Sequence, residues 1–401
     1  MTIQVPENYT YLDWAATAPL SEEAAEAMRP YLQGGLDNIA LGLNANSLHA
    51  PGRAAFEAME LARRQLAHDL GCSRPNEVVF TSGATEADNM AILGIARAVR
   101  DERRKRGNKQ GPFRVITTEI EHEAVIEPAR ALARDGFDVV FLKPSREGFI
   151  TPEALADELD DNTLLVSVQA ANSEIGTIHP LAELARCAHE RGALFHTDAT
   201  QALGKMPFDL GKLGVDAASF SAHKIGGPKG IGALYLKART PFRAFMLGGG
   251  QEEGRRSTTQ NVCGIAGFAA ACQVATAGEA DESARQRRLR DWLYAELRRM
   301  SGIRPTLDVP QDSREHLPNI VHALAKGYES ETLVLRLDRA GFGVSGGSAC
   351  ASHSLEPSRV LKALGVTTDE AYGALRISIG RYTTEDDLQR FVSALGACLD
   401  L

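Results

Sequence analysis

The amino-acid sequence predicts an α/β protein whose mostly parallel central sheet is wrapped by helices and joined to a second, smaller α/β domain. From about residue 78 to residue 221, short apolar segments alternate with helical segments, which is typical of parallel sheets with helices on both faces. Polar residues suited to chemistry follow several of these segments, at the edge of the sheet where ligands collect. After the glycine turn at residues 248–250, a long helical segment is followed by shorter strands and helices that alternate again. We therefore expect a large domain, residues 15–262, and a small domain, residues 263–401 together with residues 1–14.

The composition is that of a folded globular protein. Of its 401 residues, 44% are hydrophobic and 24% are charged, which is enough to build two cores. The formal net charge of −8 gives no reason to expect nucleic acid or an anionic membrane as a partner. No apolar stretch approaches the roughly 18 residues that a membrane span needs, and the first residues lack a signal-peptide pattern. We expect neither membrane nor direct nucleic-acid contacts.

The six cysteines, at positions 72, 187, 263, 272, 350 and 398, include no C-x-x-C pair. This spacing argues against a structural zinc site and against a disulfide framework. Because disulfides are rare in reducing compartments, a cytoplasmic location without a bound metal is the simplest expectation.

The first elements of the chain are short. Tyr11–Pro19 is an apolar segment that a proline closes, and Ser21, followed by two glutamates, begins a helix with acidic residues in its first turn. Residues 41–49 show no periodicity and predict a loop, whereas residues 52–70 predict a long helix.

Six strands are predicted for the central sheet. They are Val78–Phe80, Arg114–Thr117, Val139–Leu142, Leu164–Val168, Leu194–His196 and Ala218–Ser221. Val262 to about Met300 predicts one long helix, and beyond Leu317 strands and helices alternate in shorter units.

The strand Ala218–Ser221 ends in the sequence Ser-x-His-Lys, which places Lys224 at the end of a buried segment. Burying an unpaired ammonium group is costly, so such a lysine usually has a lowered pKa or a covalent partner. The alternative is an ordinary strand-to-loop junction whose lysine reaches water.

Two further features accompany this lysine. Asp198 follows the strand Leu194–His196, where its carboxylate could keep a pyridine nitrogen protonated. The stretch Phe80–Glu86 joins a strand to a helix, an arrangement that binds phosphate at the helix N-terminus. A lysine, an aspartate and a phosphate site are what pyridoxal 5'-phosphate requires, so the three together favour that cofactor.

The motifs that carry this chemistry resemble those of the cysteine desulfurases, pyridoxal-phosphate enzymes grouped with the class V aminotransferases. They are Y-L-D-W-A-A-T-A-P, F-T-S-G-A-T-E-A-D-N, T-E-I-E-H-E-A-V, H-T-D-A-T-Q, S-F-S-A-H-K and S-A-C-A-S-H-S-L-E-P-S, and they extend over most of the chain. The resemblance implies a homodimer of the fold type I architecture with active sites at the subunit interface. It also implies conversion of L-cysteine to L-alanine, with the sulfur left as a persulfide on an enzyme cysteine.

The resemblance also assigns the cofactor contacts. Lys224 would form a Schiff base with the cofactor's aldehyde, and Asp198 would pair with its pyridine nitrogen. Gln201 would meet the phenolic oxygen of the ring, close to Ser173, and His122 would stack on the ring. The phosphate would be held by Ala84, Thr85, Ser221 and His223, and by Thr259 reaching over from the neighbouring subunit.

On the substrate side, Arg376 would clamp the carboxylate of the amino acid, which suits its planar fork, and Asn44 lies in the family's asparagine loop. Cys350, within a glycine- and serine-rich stretch, would accept the sulfur. The alternative for a free cysteine is its usual role as a small buried hydrophobic residue. That role fits the cysteines in helical patterns better than it fits Cys350. His122 would act as general acid/base. The alternative is that His122 has only a structural role, as a hydrogen-bonded histidine at the end of a strand.

The chain departs from the family pattern at five positions near the site. Ser173 stands in place of an asparagine, Gly226 in place of a tyrosine, Thr258 in place of a glycine, Gln260 in place of a glutamate and Gly346 in place of a serine. Three readings therefore stay open: a desulfurase that supplies an acceptor such as an iron–sulfur scaffold, another pyridoxal-phosphate reaction such as selenocysteine cleavage or transamination, and a non-catalytic scaffold. Cys350 favours the first reading over the second, because transamination needs no enzyme thiol. The presence of Lys224, Asp198 and His223 argues against the non-catalytic scaffold.

Overall fold

A computed structural model describes residues 6, 8–32, 43–107, 111–346 and 357–399. Its largest sheet consists of β2 (Val78–Thr81), β3 (Arg114–Thr118), β4 (Asp138–Leu142), β5 (Thr163–Ser167), β6 (Leu194–Asp198), β7 (Ala217–Ser221) and β8 (Gly232–Leu236). The seven strands are arranged in the order β2-β8-β7-β6-β5-β3-β4. Only β8 is antiparallel to its neighbours, and the remaining adjacent pairs are parallel. The predicted mostly parallel sheet is confirmed.

The six predicted strands are present, with ends that differ by at most two residues from the predicted ones. Their apolar runs gave a clear signal because β2, β5 and β7 are buried along their whole length. β8 was not predicted as a member of the sheet. It follows the loop Gly226–Gly230 and returns antiparallel beside β7, so that it lies between β7 and β2.

Helices cover both faces of this sheet. One face packs against α3 (Ala84–Lys105) and α4 (Glu123–Arg134). The other packs against helices that include α2 (Ala50–Asp69), α5 (Pro152–Glu158), α6 (Leu181–Glu190) and the short α7 (Leu210–Leu213). α1 (Glu22–Leu32) begins where predicted, since the Ser21 hydroxyl accepts a hydrogen bond from the Ala24 N–H at 3.1 Å.

A second, smaller sheet has the order β12-β10-β9 and is antiparallel throughout. Its strands are β9 (Ile303–Pro305), β10 (Ile320–Ala325) and β12 (Ala374–Ser378), and its neighbours are α10 (Ser330–Arg339), α11 (Arg359–Ala363), α12 (Thr368–Ala371) and α13 (Glu385–Cys398). Close to the N-terminus, β1 (Thr10–Tyr11) pairs with β11 (Phe342–Gly343), so the start of the chain joins this smaller unit.

The single long helix predicted after Val262 is in fact two helices. α8 (Val262–Ala277) and α9 (Glu279–Arg299) meet at Gly278 with a bend of 70°. The buried residues of α8 pack into the core of the large sheet, whereas those of α9 pack with the small sheet. The domain boundary near residue 262 stays a prediction.

No single helix in the described ranges has the length and apolar composition of a membrane span, and only the bent pair α8 and α9, taken together, reaches them.

Candidate active site

A cavity of about 440 Å³ opens at the carboxyl ends of β2, β3, β5, β6 and β7. Most residues predicted for the site line it: Ala84, Thr85, His122, Ser173, Asp198, Gln201, Ser221, His223, Lys224 and Arg376. These residues are far apart in sequence. The parallel sheet brings most of them together, because its strands end at one edge.

Lys224 lies in a 3-10 turn, Ala222–Lys224, directly after β7. Its Nζ donates hydrogen bonds to the backbone oxygens of Ala15 at 2.7 Å and Ala16 at 2.8 Å. The Ala18 N–H in turn donates to the His223 carbonyl at 2.8 Å. The N-terminal segment therefore holds the lysine at the wall of the cavity.

Gln201 is held from two sides. Its Nε2 donates to the Ala15 carbonyl at 3.0 Å, and its Oε1 accepts from Lys205 Nζ at 2.7 Å. Burial, together with the positive charges of Lys224 and Arg376, lowers the pKa of Lys205 to about 7. Lys205 was not among the predicted site residues, and its spacing of four residues from Gln201 was the one signal in the sequence.

Asp198 is the last residue of β6, and its Oδ1 accepts a hydrogen bond from the Thr200 N–H at 2.9 Å. The Thr200 hydroxyl also belongs to the cavity wall and is buried without a hydrogen-bond partner in the part of the chain that the structure describes. Two further buried acids, Asp88 and Glu121, lie on this side of the site. Both occur in motifs quoted above, but their types alone assigned them no role.

The N-terminus of α3 faces the cavity through Ser82, Gly83, Ala84 and Thr85. The first N–H groups of a helix have no partner within it and attract anions. Glu86 supports this turn, because its carboxylate accepts from the Ser82 N–H at 2.7 Å and from Arg256 Nε and Nη2 at 2.7 and 2.9 Å. Burial opposes ionisation of Glu86, but Arg256 and Ser82 outweigh it and lower the pKa of the carboxyl.

His223 completes this end of the cavity. Its Nδ1 lies 3.1 Å from the Thr17 hydroxyl. Burial, and then the charges of three lysines, lower the pKa of His223 to about 4, so the ring is neutral at pH 7. A neutral imidazole that gains an anionic neighbour can take up a proton, which suits a phosphate site.

His122 is the N-cap of α4, and its Nδ1 accepts a hydrogen bond from the Ala124 N–H at 3.1 Å. In the neutral ring the proton therefore resides on Nε2. The side chain belongs to the cavity wall, so the tautomer offers a proton at Nε2 rather than a vacant nitrogen.

Arg376 lies in the middle of β12 and is only 2% exposed. Its Nη1 donates to the Ser173 carbonyl at 3.0 Å, and its Nη2 donates to Asp13 Oδ1 at 2.7 Å. The backbone of Arg376 also pairs with Ser345, through hydrogen bonds of 2.7 and 3.2 Å. Asp13 was part of the first quoted motif, but nothing in the sequence indicated that it pairs with Arg376.

Three predicted residues are not in this cavity. Asn44 and Thr259 are exposed and lie outside its lining, on segments that the hydrogen bond from Asn46 Nδ2 to Gln260 Oε1 joins at 2.8 Å. Cys350 lies outside the described residues. Within the described ranges, no group of three or more histidine, cysteine, aspartate or glutamate side chains could hold a metal ion.

The residues of the cavity fit pyridoxal 5'-phosphate. Lys224 supplies an amine, Asp198 supplies a carboxylate for a pyridine nitrogen, and the start of α3 supplies N–H donors for a phosphate. A polar ligand in the cavity would supply a partner for the buried Thr200 hydroxyl, which lacks one among the described residues.

Comparisons with known proteins agree with this site. The family model described as aminotransferase class-V matches residues 10–391. A relative from Dictyoglomus turgidum, named cysteine desulfurase IscS, is 41% identical over 386 residues, which cover 96% of this chain and 93% of the relative. The solved structure of a NifS-like protein has a TM-score of 0.85 and 35% identity, covering 98% of this chain and 99% of that chain.

A second solved structure, SspA in complex with cysteine, has a TM-score of 0.76 and 30% identity and covers 94% of this chain and all of that chain. The match extends over almost the whole length in each comparison, and the fold and the residues of the cavity agree with it. The chain belongs to the class V aminotransferase family and, within it, to the pyridoxal-phosphate-dependent cysteine desulfurases.

Proposed function

We propose that the protein converts L-cysteine to L-alanine and holds the released sulfur as a persulfide on Cys350. The observation that carries this proposal is the arrangement around the cavity. Lys224, Asp198 and Arg376 line it, and the described residues on the two sides of the Cys350 segment are bound to Arg376 and to Glu174, the neighbour of Ser173.

The two attachments are specific. Before the segment, Ser345 pairs through its backbone with Arg376. After it, the Ser358 hydroxyl donates a hydrogen bond to Glu174 at 2.5 Å, beside Ser173. The described residues on both flanks of the segment are therefore held close to the carboxylate-binding arginine, which supports Cys350 as the sulfur acceptor.

The remaining thiols support the same choice. Burial raises the pKa of Cys187, Cys263 and Cys272, and raises that of Cys72 to about 12. Because the thiolate is the nucleophile, these groups are poor sulfur acceptors. None of the five cysteines within the described ranges lines the cavity.

The chain's own residues divide the work as follows. Bound pyridoxal 5'-phosphate supplies an electron-withdrawing ring. Arg376 orients the substrate carboxylate, and the Cys350 thiolate forms a sulfur–sulfur bond while the carbon–sulfur bond breaks. The carbon keeps the electron pair of that bond and takes up a proton, for which His122 Nε2–H is a donor in the cavity. Alanine and the enzyme persulfide account for every atom of cysteine and thiol.

The test is to incubate the purified protein with L-cysteine and a reductant and to measure alanine and sulfide together. We expect equal amounts of both, and Cys350→Ala should bind L-cysteine but release almost no sulfide. Cys187→Ala is the matched control and should keep the wild-type rate. If Cys350→Ala releases sulfide at the wild-type rate, a lyase reaction replaces the proposal, and consumption of a 2-oxo acid would indicate a transaminase.

We further propose that the protein works as a homodimer in the cytoplasm and passes sulfur to an acceptor protein such as an iron–sulfur scaffold. The relatives named IscS support this acceptor class. Leu48 is 91% exposed and Leu247 is 81% exposed, on the segments that carry Asn44 and Thr259, so a partner surface there would cover apolar side chains. Sedimentation of wild type and Leu247→Glu tests the dimer, and transfer of radiolabelled sulfur to a purified scaffold tests the acceptor.

A further inference from the structure

Asp88 is an aspartate in the second turn of α3 whose carboxyl group belongs to the wall of the cofactor cavity. Its side chain has no exposed surface. Among the described residues, the Ser219 hydroxyl acts on the carboxyl group as a hydrogen-bond donor, but no hydrogen bond to either carboxyl oxygen has good geometry. A buried carboxylate with so few hydrogen bonds is costly, so this residue requires an explanation.

In the part of the chain that the structure describes, the groups that face Asp88 do not include a cation. His196 Nε2 lies 3.6 Å from Asp88 Oδ1, but burial lowers the pKa of His196 to about 3, and the ring is neutral. Both of its nitrogens lie near hydroxyl groups, Ser167 at 2.8 Å and Ser219 at 3.0 Å. A neutral histidine cannot balance the charge of a carboxylate.

The other neighbours are acids. Asp198 and Glu121 both act on Asp88, and burial together with these like charges raises its pKa well above the ordinary value, while the Ser219 hydroxyl opposes the shift. Burial also raises the pKa of Glu121 to about 8. Carboxyl groups that share one buried site cannot all ionise.

Asp198 differs from Asp88 in one respect. Its Oδ1 accepts a hydrogen bond from the Thr200 N–H at 2.9 Å, so it has a backbone donor that Asp88 lacks. We propose that Asp88 is a positioning residue of the cofactor site that stays a neutral carboxylic acid, so that Asp198 alone carries the negative charge facing the pyridine nitrogen. A neutral Asp88 then does not compete with Asp198 for the cofactor's proton.

The test locates the proton directly. The full-length protein with bound cofactor is labelled with carbon-13 at the aspartate carboxyl carbon, and the carbonyl stretch of protonated carboxyl groups is recorded in the infrared at pH 7. Asp88→Asn should remove one labelled band, and Asp198→Asn should leave that band in place. If Asp198→Asn removes the band and Asp88→Asn does not, or if wild type has no such band, the proposal is wrong.

One further measurement does not use Asp88→Asn and remains informative if that variant folds poorly. In Asp198→Asn the Asp88 band should titrate at lower pH than in wild type, because a like charge is gone, and an unchanged titration would overturn the proposed division of charge. Where Asp88→Asn folds, thermal unfolding gives another measurement. A carboxyl group whose pKa is raised in the folded protein lowers the stability of the fold as the pH rises from the pKa in the unfolded chain to the pKa in the folded protein. The melting temperature of Asp88→Asn should therefore increase relative to that of wild type as the pH rises. A difference in melting temperature that does not change with pH would contradict the proposal.

Discussion

Replacing Arg376 by lysine keeps the positive charge but removes the planar guanidinium group, so it should show how much the shape of this group contributes to substrate binding. The fork already donates to the Ser173 carbonyl and to Asp13, so a substrate carboxylate has to be met by the other donors of the same rigid group. A lysine presents its three donors from a single nitrogen and cannot keep both protein contacts while it binds a carboxylate.

The expected loss follows from the hydrogen bond that is given up. A hydrogen bond to a charged partner contributes roughly 1.5–3 kcal/mol, and each ~1.36 kcal/mol corresponds to a factor of ten. Arg376→Lys should therefore lower kcat/KM for L-cysteine by about 10- to 150-fold, mainly through KM. Sulfide release over a range of cysteine concentrations measures this, and titration of the bound cofactor's absorbance with L-cysteine measures binding alone.

Asp13→Asn is the matched control, because it keeps the fork and removes its charge partner. Breaking a buried ion pair costs roughly 3–5 kcal/mol, and the cost here should be at or below the lower end, since the Asp13 side chain is 18% exposed. We expect Asp13→Asn to lower the free energy of unfolding and to change KM less than Arg376→Lys does. Equal losses of kcat/KM in both variants, or an unchanged value in Arg376→Lys, would refute this reasoning.

Three other predictions concern the cofactor and its surroundings. Borohydride reduction should attach the cofactor to Lys224, and an adduct at any other residue in a peptide map would contradict the assignment. The pKa of Lys205 is lowered from 10.5 to about 7. Its buried charge therefore destabilises the fold by the full amount below pH 7, and this destabilisation disappears as the pH rises toward 10.5. Lys205→Met should therefore raise the melting temperature most below pH 7, and a difference independent of pH would count against the shift. Ser173→Asn should lower the midpoint of the pH titration of the cofactor's visible band by somewhat under one unit, because a donor to the phenolate oxygen, worth about 1 kcal/mol, favours the deprotonated form. The Asn172 amide does not line the cavity and is bound to backbone groups through its oxygen and through one of its N–H groups. An unchanged or higher midpoint would argue for another donor.

The elements that could be predicted are those whose environment is uniform along the chain. Strands such as β5 and β7 are buried on both faces and therefore appear as continuous apolar runs. The break at Gly278 could not be predicted in the same way, because helical composition continues on both sides of it. The bend arises because α8 packs on one core and α9 on the other, and each core includes residues distant in sequence.

The same distinction holds for the site. Lys224, Asp198 and the start of α3 were recognisable from the chain alone, because each directly follows a strand and the chemistry of a residue type is a local property. The partners that tune them were not recognisable. Asp13 contacts Arg376 across 363 residues, and Arg256 contacts Glu86 across 170. In the sequence, Asp88 cannot be distinguished from any other polar residue of a helix. Its proposed role depends on its burial and on its interaction with Asp198, without a cation beside it among the described residues. Burial and charge pairing depend on which distant segments pack together, and a local pattern contains no information about that packing.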